Sequence, residues 1–256
     1  MSKYLFILLA VVLVSGNSIQ EKENWISLFN GKNLDGWVAK FSGYQLGNNY
    51  KNTFRVEDGL LKISYDKYEK FNNEFGHLFF ADRAFSNYKI KAEFRFTGEQ
   101  VKDGPAWAFR NNGLMLHCQL PQTMRINQAF PVSMEVQLLG DDGSGNRPCA
   151  NPCTPGTHFI KDDSLVTVHC PSISPRTIDG QKWNTIEVEV RADSLFRHIL
   201  NGEVVAEYYN PQYDPGDEDA QKFISNGSLK LSEGYIAIQA ETHPTEFRKI
   251  EVLLLD

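Results

Sequence analysis

The sequence predicts an all-β protein, an antiparallel β-sandwich of two sheets. Three observations carry that expectation. Apolar and polar residues alternate with period two along most segments after residue 25, Asp-Gly and Asn-Gly turn signals separate several of them, and only one short stretch reads as helical. No internal repeat or linker-like composition divides the chain, so residues 21–256 are expected to form one domain.

The first twenty residues read as an export signal. Lys3 gives a positive start, Tyr4–Val14 is an unbroken apolar run of eleven residues, and the small, polar Ser15-Gly16-Asn17-Ser18 follows. A helical membrane span needs roughly 20 apolar residues, so this run is too short, and no other segment is apolar enough to serve. No Cys follows Ser15-Gly16, which gives no indication of a lipid anchor. The expected location is periplasmic or secreted, with residues 1–20 removed.

Strands follow in order. Phe54-Arg55-Val56 and Leu60–Ile63 flank Glu57-Asp58-Gly59, a hairpin turn. A strand is expected over 76–81. From Tyr88 to Phe96, Tyr88, Ile90, Ala92, Phe94 and Phe96 face one way, and Lys89, Lys91, Glu93 and Arg95 the other. Strands at 113–118, 132–139 and 164–169 come next. Ile186, Val188 and Val190 then alternate with Glu187, Glu189 and Arg191. Asn201-Gly202 joins Phe196–Leu200 to Glu203–Ala206, because both central residues of a type I′ turn need positive φ. The one short helix is expected around Asp217–Phe223, and strands at 234–240 and 246–254 complete the chain. Leu139–Pro155 and Asn210–Gly227 read as long loops. Trp37, Trp107 and Trp183 are read as core or loop anchors rather than sugar platforms.

Export makes the cysteines legible. Cys118, Cys149, Cys153 and Cys170 are an even set in an oxidising compartment. Cys149 and Cys153 flank Pro152 too closely for an unstrained bridge, so the pairing favoured is Cys153–Cys170 with Cys118–Cys149. Closing the loop from Cys153 to Cys170 contributes roughly 3 kcal/mol on the chain-entropy account. A cysteine zinc site is the competing reading, although no CxxC pair is present. Asp141 and Asp142 beside Gly143 could ligate calcium as hard oxygen donors, with a solvated acidic turn the simpler reading. No cofactor is otherwise implied.

The formal net charge of -6 and the lack of a Lys/Arg cluster argue against nucleic acid as a partner. Neither G-x-S-x-G, H-E-x-x-H nor a phosphate-cradling glycine loop occurs. The informative residues lie on strand faces turned away from the expected core. Leu114 and Leu116 leave Met115 and His117; Met134, Val136 and Leu138 leave Ser133, Glu135 and Gln137; Ile236, Ile238 and Ala240 leave Tyr235, Gln239 and Glu241. Such a face, if concave, offers carboxylates and amides to sugar hydroxyls and an aromatic ring to a sugar's C–H face. Solvated outer positions of half-buried strands are the plain alternative. Sandwich glucanases carry two catalytic carboxylates on one strand, whereas Glu135-Val136-Gln137-Leu138 has one, and Glu241 could supply a second from elsewhere.

Several motifs in fixed order resemble the 3-keto-disaccharide hydrolase family. They are Trp25-Ile26-Ser27-Leu28-Phe29-Asn30-Gly31-Lys32-Asn33-Leu34-Asp35-Gly36-Trp37, Asn111-Asn112-Gly113-Leu114-Met115-Leu116-His117, Ser133–Gly140, Cys153-Thr154-Pro155-Gly156-Thr157, Gly180–Asn184, Leu200-Asn201-Gly202, and Gly234–Glu241 with Glu246–Ile250. The resemblance spans about 25–254. Asn112 stands where the family usually has Ser, and Cys118 and Cys149 fall outside its common motif. The resemblance implies a concanavalin-A-like jelly roll, of the lectin and glucanase type, acting on a small oxidised glycoside. A C3 ketone acidifies the C2 proton, so a base can remove it, the C1 substituent leaves with acid assistance, and water adds. Glu135 and His117 are the expected acid–base groups. Gln137, Gln239 and Glu241 would hold hydroxyls, Tyr235 would offer a ring, and Arg248 or Asn111 would polarise the ketone. A non-catalytic carbohydrate-binding module and a conventional glycoside hydrolase are the alternatives. Oligomeric state is not indicated.

Overall fold

The computed structural model describes residues 23–256, and the expected leader lies outside the described residues. The larger sheet contains β1 (Ile26–Ser27), β3 (Phe54–Glu57), β4 (Leu60–Ile63), β6 (Asn87–Phe96), β10 (Thr157–Lys161), β11 (Ser164–Val166), β12 (Asn184–Arg191), β13 (Leu195–Leu200), β14 (Glu203–Tyr213) and β16 (Thr245–Leu254). The smaller sheet contains β2 (Trp37–Phe41), β5 (Gly76–Phe85), β7 (Asn111–Cys118), β8 (Met134–Leu139), β9 (Asn151–Cys153) and β15 (Gly234–Ala240). The larger runs β11-β10-β14-β13-β12-β6-β16-β4-β3, with β1 also on β16, and the smaller runs β2-β5-β15-β7-β8-β9. Neighbours such as β6 and β12, β7 and β15, and β7 and β8 pair antiparallel.

Alternation sets what each sheet buries. Along β6 the residues Tyr88, Ile90, Ala92, Phe94 and Phe96 are buried and the intervening charged ones partly exposed. The smaller sheet answers with Leu114, Leu116, Met134, Val136, Leu138, Ile236, Ile238 and Ala240. Burial of this apolar layer, at about 25 cal/mol per Å², holds the sheets face to face. Both hairpin turns form, with Asp58 and Asn201 at positive φ.

Several local expectations change, among them the loops read at 139–155 and 210–227, which hold β9 and the last residues of β14. The strand expected at 76–81 continues to Phe85, and the one at 164–169 stops at Val166. The helix expected at 217–223 is a single 3-10 turn, Gln221–Phe223. Asp217 does accept from the Asp219 and Ala220 N–H groups as a cap would, but so short a segment cannot repay helix nucleation.

Cys153 and Cys170 are joined, while Cys118 and Cys149 are free thiols, both buried. The second bridge fails because the two residues pack on opposite faces of the smaller sheet. Cys149 lies in the inter-sheet core, whereas Cys118 packs with Met115, Phe79 and Met124 on the outer face. The cause is a β-bulge. Ala237 pairs with Met115 but Tyr235 pairs with Cys118, so β7 carries one extra residue over that interval. His117 takes φ +45° within it. The alternation therefore inverts after Leu116, turning His117 inward and Cys118 outward. Gly234 fits beside the bulge because it lacks a Cβ, which would stand 2.3 Å from the His117 carbonyl carbon.

Candidate functional site

On the outer face of the smaller sheet, register lines up a polar row. Lys40 of β2 pairs with His77 of β5, His77 with Gln239 of β15, and Gly113 of β7 with Gln137 of β8, which pairs with Asn151 of β9. Gly113 and Gln239 close the row, since a Cβ on Gly113 would sit 3.0 Å from Gln239 Oε1. The neighbouring row is apolar except for one carboxyl. It runs Val38, Phe79, Ala237, Met115, Glu135 and Cys153. Glu135 reaches diagonally over Gly113, with its Oε1 2.5 Å from where a Cβ there would be. Glu241 lies just beyond the end of β15.

These groups are shielded although they stand on the outer face. Glu135 is 5% exposed, Glu241 3% and Gln239 0%. Burial pushes the Glu135 carboxyl up to about 8, and the Gln239 amide beside it offsets part of that without closing a hydrogen bond of good geometry. Burial raises Glu241 well above the usual carboxylate range, the Glu135 charge raises it further, and the Arg147 guanidinium offsets part. Both carboxyls thus resist ionising, and the charge of one opposes that of the other.

Arg147 reaches these groups from the 140–150 loop, where its charge acts on Glu241. Its Nη1 donates to the Gly140 carbonyl at 2.8 Å and its Nη2 to the Trp107 carbonyl at 3.0 Å. His243 lies two residues past Glu241, edge-on to Phe109 at 5.0 Å between ring centroids. Burial holds its imidazole down at about 4, helped by the Arg110 and Arg147 charges. His77 is held at about 3 by burial and the Lys40 charge. Between Glu241 and His243, buried Thr242 adopts φ +143°, a strained conformation for a β-branched residue. Its hydroxyl accepts from Gln100 Nε2 at 2.8 Å and donates to the Ala108 carbonyl at 3.2 Å. Those bonds fix the backbone that presents both flanking side chains.

Unpartnered polar atoms concentrate here. Asn111 Oδ1, both polar side-chain atoms of Gln239, Glu241 Oε2 and both ring nitrogens of His77 and His243 are buried without a protein hydrogen-bond partner. Buried polar groups are normally satisfied. Their hydrogen bonds are therefore left to water or to another molecule.

Of the residues singled out from sequence, Glu135, Gln137, Asn111, Gln239 and Glu241 share this patch. Tyr235 lies on the same face at its apolar end, beside Met115 and Cys118. His117 does not join them. The bulge buries its ring between the sheets, 5.1 Å from Phe196 and 6.0 Å from Tyr88, and burial holds it at about 4. Arg248 is remote as well. It lies at a bulge in β16 of the larger sheet, paired with Glu93 and stacked at 4.6 Å on Trp183. Asp141 and Asp142 cap the Gly143 and Ser144 N–H groups. Among the described residues no three His, Cys, Asp or Glu side chains converge as a metal cage. Sequence reasoning missed His77, His243 and Arg147. His77 was within reach of the alternation in its strand, and His243 stands two residues past Glu241, but a loop arginine carries no comparable signal.

Residues 24–253 match a family described as the 3-keto-alpha-glucoside-1,2-lyase-like domain. The chain belongs to that family. It is a carbohydrate-active family. Among solved structures, two provisionally assigned glycosyl hydrolases from Parabacteroides distasonis superpose on it. One has 18% identity, a TM-score of 0.53 and coverage of 91% of this chain and 100% of its own. The other has 21% identity, a TM-score of 0.52 and coverage of 91% and 94%. A Bacillus subtilis protein of unknown function with a galectin-like fold superposes with a TM-score of 0.52 at 11% identity, covering 86% of this chain and 90% of its own. These likenesses establish the jelly-roll sandwich. No match is found among curated proteins.

Proposed function

We infer that this family member is an exported, single-domain enzyme that cleaves the glycosidic bond of 3-keto-glycosides by elimination and hydration. The observation that carries the reading is the pair of shielded carboxyls, Glu135 and Glu241, set among unpartnered hydrogen-bonding groups. The charge of either carboxyl opposes ionisation of the other, so the pair can hold one charge and one proton together, and in this reading Glu135 is the charged partner. Glu135 therefore takes the C2 proton, and the electron pair moves into the C2–C3 bond as the C3 oxygen gains charge. Gln239 and Arg147 are the donors available to that oxygen. The C1–O bond breaks as the enolate collapses to a C1=C2 enone, and the leaving oxygen takes its proton from Glu241. Water then adds at C1 and a proton returns to C2, which balances as hydrolysis. Neutral His77 and His243, with Gln137 and Asn111, hold the sugar hydroxyls.

Export is supported by the disulfide and by the leader-like start. Among the described residues no helix is long and apolar enough to cross a membrane.

The test is a paired assay on chromogenic 3-keto-glucosides, of either anomer, and their unoxidised parents. Release from the keto compound alone, with C2 hydrogen exchanging in heavy water, is expected. Release from the parents at a similar rate would instead favour direct hydrolysis, a second reading that Glu241 supports by supplying the carboxyl β8 lacks. Binding without release from either would make the protein a carbohydrate-binding module.

A further inference from the structure

Trp107 was expected to be an anchor, yet it is 53% exposed, in the short 3-10 turn Ala106–Ala108 that leads into β7. Large aromatic side chains normally bury most of their area. One face of this indole is covered: it stacks on Phe75 at 5.9 Å between centroids and 17° between planes. Phe75 packs on Phe130 at 5.1 Å, and Phe130 stands edge-on to His77 at 5.9 Å. A continuous aromatic wall therefore climbs from His77, in the polar row, to the solvent-facing side of Trp107.

The backbone of the same residue is tied to the polar patch by two hydrogen bonds. Its carbonyl accepts from Arg147 Nη2 at 3.0 Å and from Asn111 Nδ2 at 3.5 Å. Asn111 is two residues from Gly113, over which Glu135 lies, a strand distance of about 7 Å and so on the scale of one hexose ring. The residue is thus anchored through its main chain to Arg147 and to the strand whose Gly113 lies under the Glu135 carboxyl, and its indole keeps one side open to solvent.

We propose that Trp107 is the platform of a second sugar subsite, stacking the pyranose ring on the leaving-group side of the bond that Glu135 and Glu241 break. The ligand class is a disaccharide, or a glycoside whose aglycone is a flat ring, rather than a simple alkyl glycoside. The proposal rests on the location of the reaction centre inferred above. Its chemistry is separate, because stacking on C–H faces needs no ketone.

Unoxidised disaccharides and the matching methyl glucosides serve as probes, with binding followed by saturation-transfer NMR and titration. Wild type is expected to bind the disaccharide on the order of tenfold more tightly, the scale of one aromatic stacking contact, with saturation reaching both rings. Trp107→Ala should bring the disaccharide to the level of the methyl glucoside while leaving the latter unchanged, and Trp107→Phe should restore part of the difference. Both substitutions keep the carbonyl that holds Arg147 and Asn111. Equal affinity of wild type for the two probes, no detectable binding of either, or equal losses for both in Trp107→Ala would overturn the proposal. Absence of keto-substrate cleavage with the disaccharide preference intact would instead count against the elimination reading alone.

Discussion

The carboxyl of Glu135 occupies the space a side chain at residue 113 would need: its Oε1 stands 2.5 Å from the Cβ position on Gly113. The glycine is therefore what lets a long acidic side chain fold across its own sheet and remain there shielded. A methyl group must move that carboxyl, because the strand beneath cannot move. Gly113→Ala is expected to keep the melting temperature within a few degrees of wild type, since the displaced atoms end a flexible side chain. Turnover should fall on the order of 100-fold, as misplacement by about 1 Å does. Normal turnover in a folded Gly113→Ala protein would remove Glu135 from the mechanism.

Substitution separates the reacting carboxyls from the buried histidine. Glu135→Gln and Glu241→Gln should each lower kcat by about 10²–10⁴-fold with folding intact. His117→Asn, chosen because Asn tolerates a left-handed backbone, should lower stability by about 2 kcal/mol through lost packing. Its kcat per folded molecule should stay near wild type. Chemical denaturation and active-fraction-corrected kinetics distinguish the two patterns.

The pH dependence of kcat/KM follows from the stepwise ionisation of the carboxyl pair. The base must be charged and the acid protonated, so the rate should rise through about 8 as the carboxyl pair loses its first proton, and then fall at higher pH as it loses the second, which the leaving group needs. A profile measured from about pH 5 to 10 that is flat above neutrality would contradict this assignment.

Stability has a different profile. The two carboxyls hold their protons more tightly folded than unfolded, so their contribution is complete below the ordinary value of 4.5 and is lost as pH rises through about 8 for Glu135 and higher for Glu241. Burial acts oppositely on His77, His117, His198 and His243. Their contribution is complete above 6.5 and is lost as pH falls toward about 4, or about 3 for His77. Each proton taken up or released changes stability by about 1.4 kcal/mol per pH unit. Denaturation midpoints should therefore peak near 6.5 and decline on both sides, the two carboxyls offsetting about half of the four-histidine decline between 6.5 and 4.5. In Glu135→Gln the alkaline decline should weaken.

Thiol titration checks the cysteine arrangement. Burial pushes Cys149 up to about 12 and Cys118 well above its usual range. The native protein should therefore give no reaction with a thiol reagent, and the unreduced, denatured protein should give two equivalents. None after denaturation would mean that a second bridge exists.

The sandwich was legible because alternation is a local property. Tyr88 through Phe96, and Asp-Gly and Asn-Gly at the turns, state their geometry without help from distant residues. The site was legible to the extent that this rule held without interruption, as on β8 and β15, where Glu135, Gln137 and Gln239 fall on the expected face. It failed at His117 because one extra residue inverts the count, and a bulge is decided by the partner strand rather than by the strand's own pattern. The same inversion separated Cys118 from Cys149. Arg248 was chosen from the motif Glu246–Ile250 of the family resemblance, and it lies away from the patch because β15 and β16 belong to different sheets. Arg147 was illegible, since only tertiary packing brings its loop near Glu241.

The Cys153–Cys170 bridge also governs how molecules of this protein meet one another. A sheet ending in open backbone invites a strand from another molecule and, at high concentration, stacking into aggregates. Here β9 is three residues long and contains Pro152, which has no N–H to offer, and the bridge anchors Cys170 against its end. At the opposite border, the Ala39 carbonyl of β2 is already taken by Gly47 of its own chain at 2.8 Å. Both borders of the sheet that carries the site are thus blunted against a foreign strand, leaving its outer face as the side open to recognition.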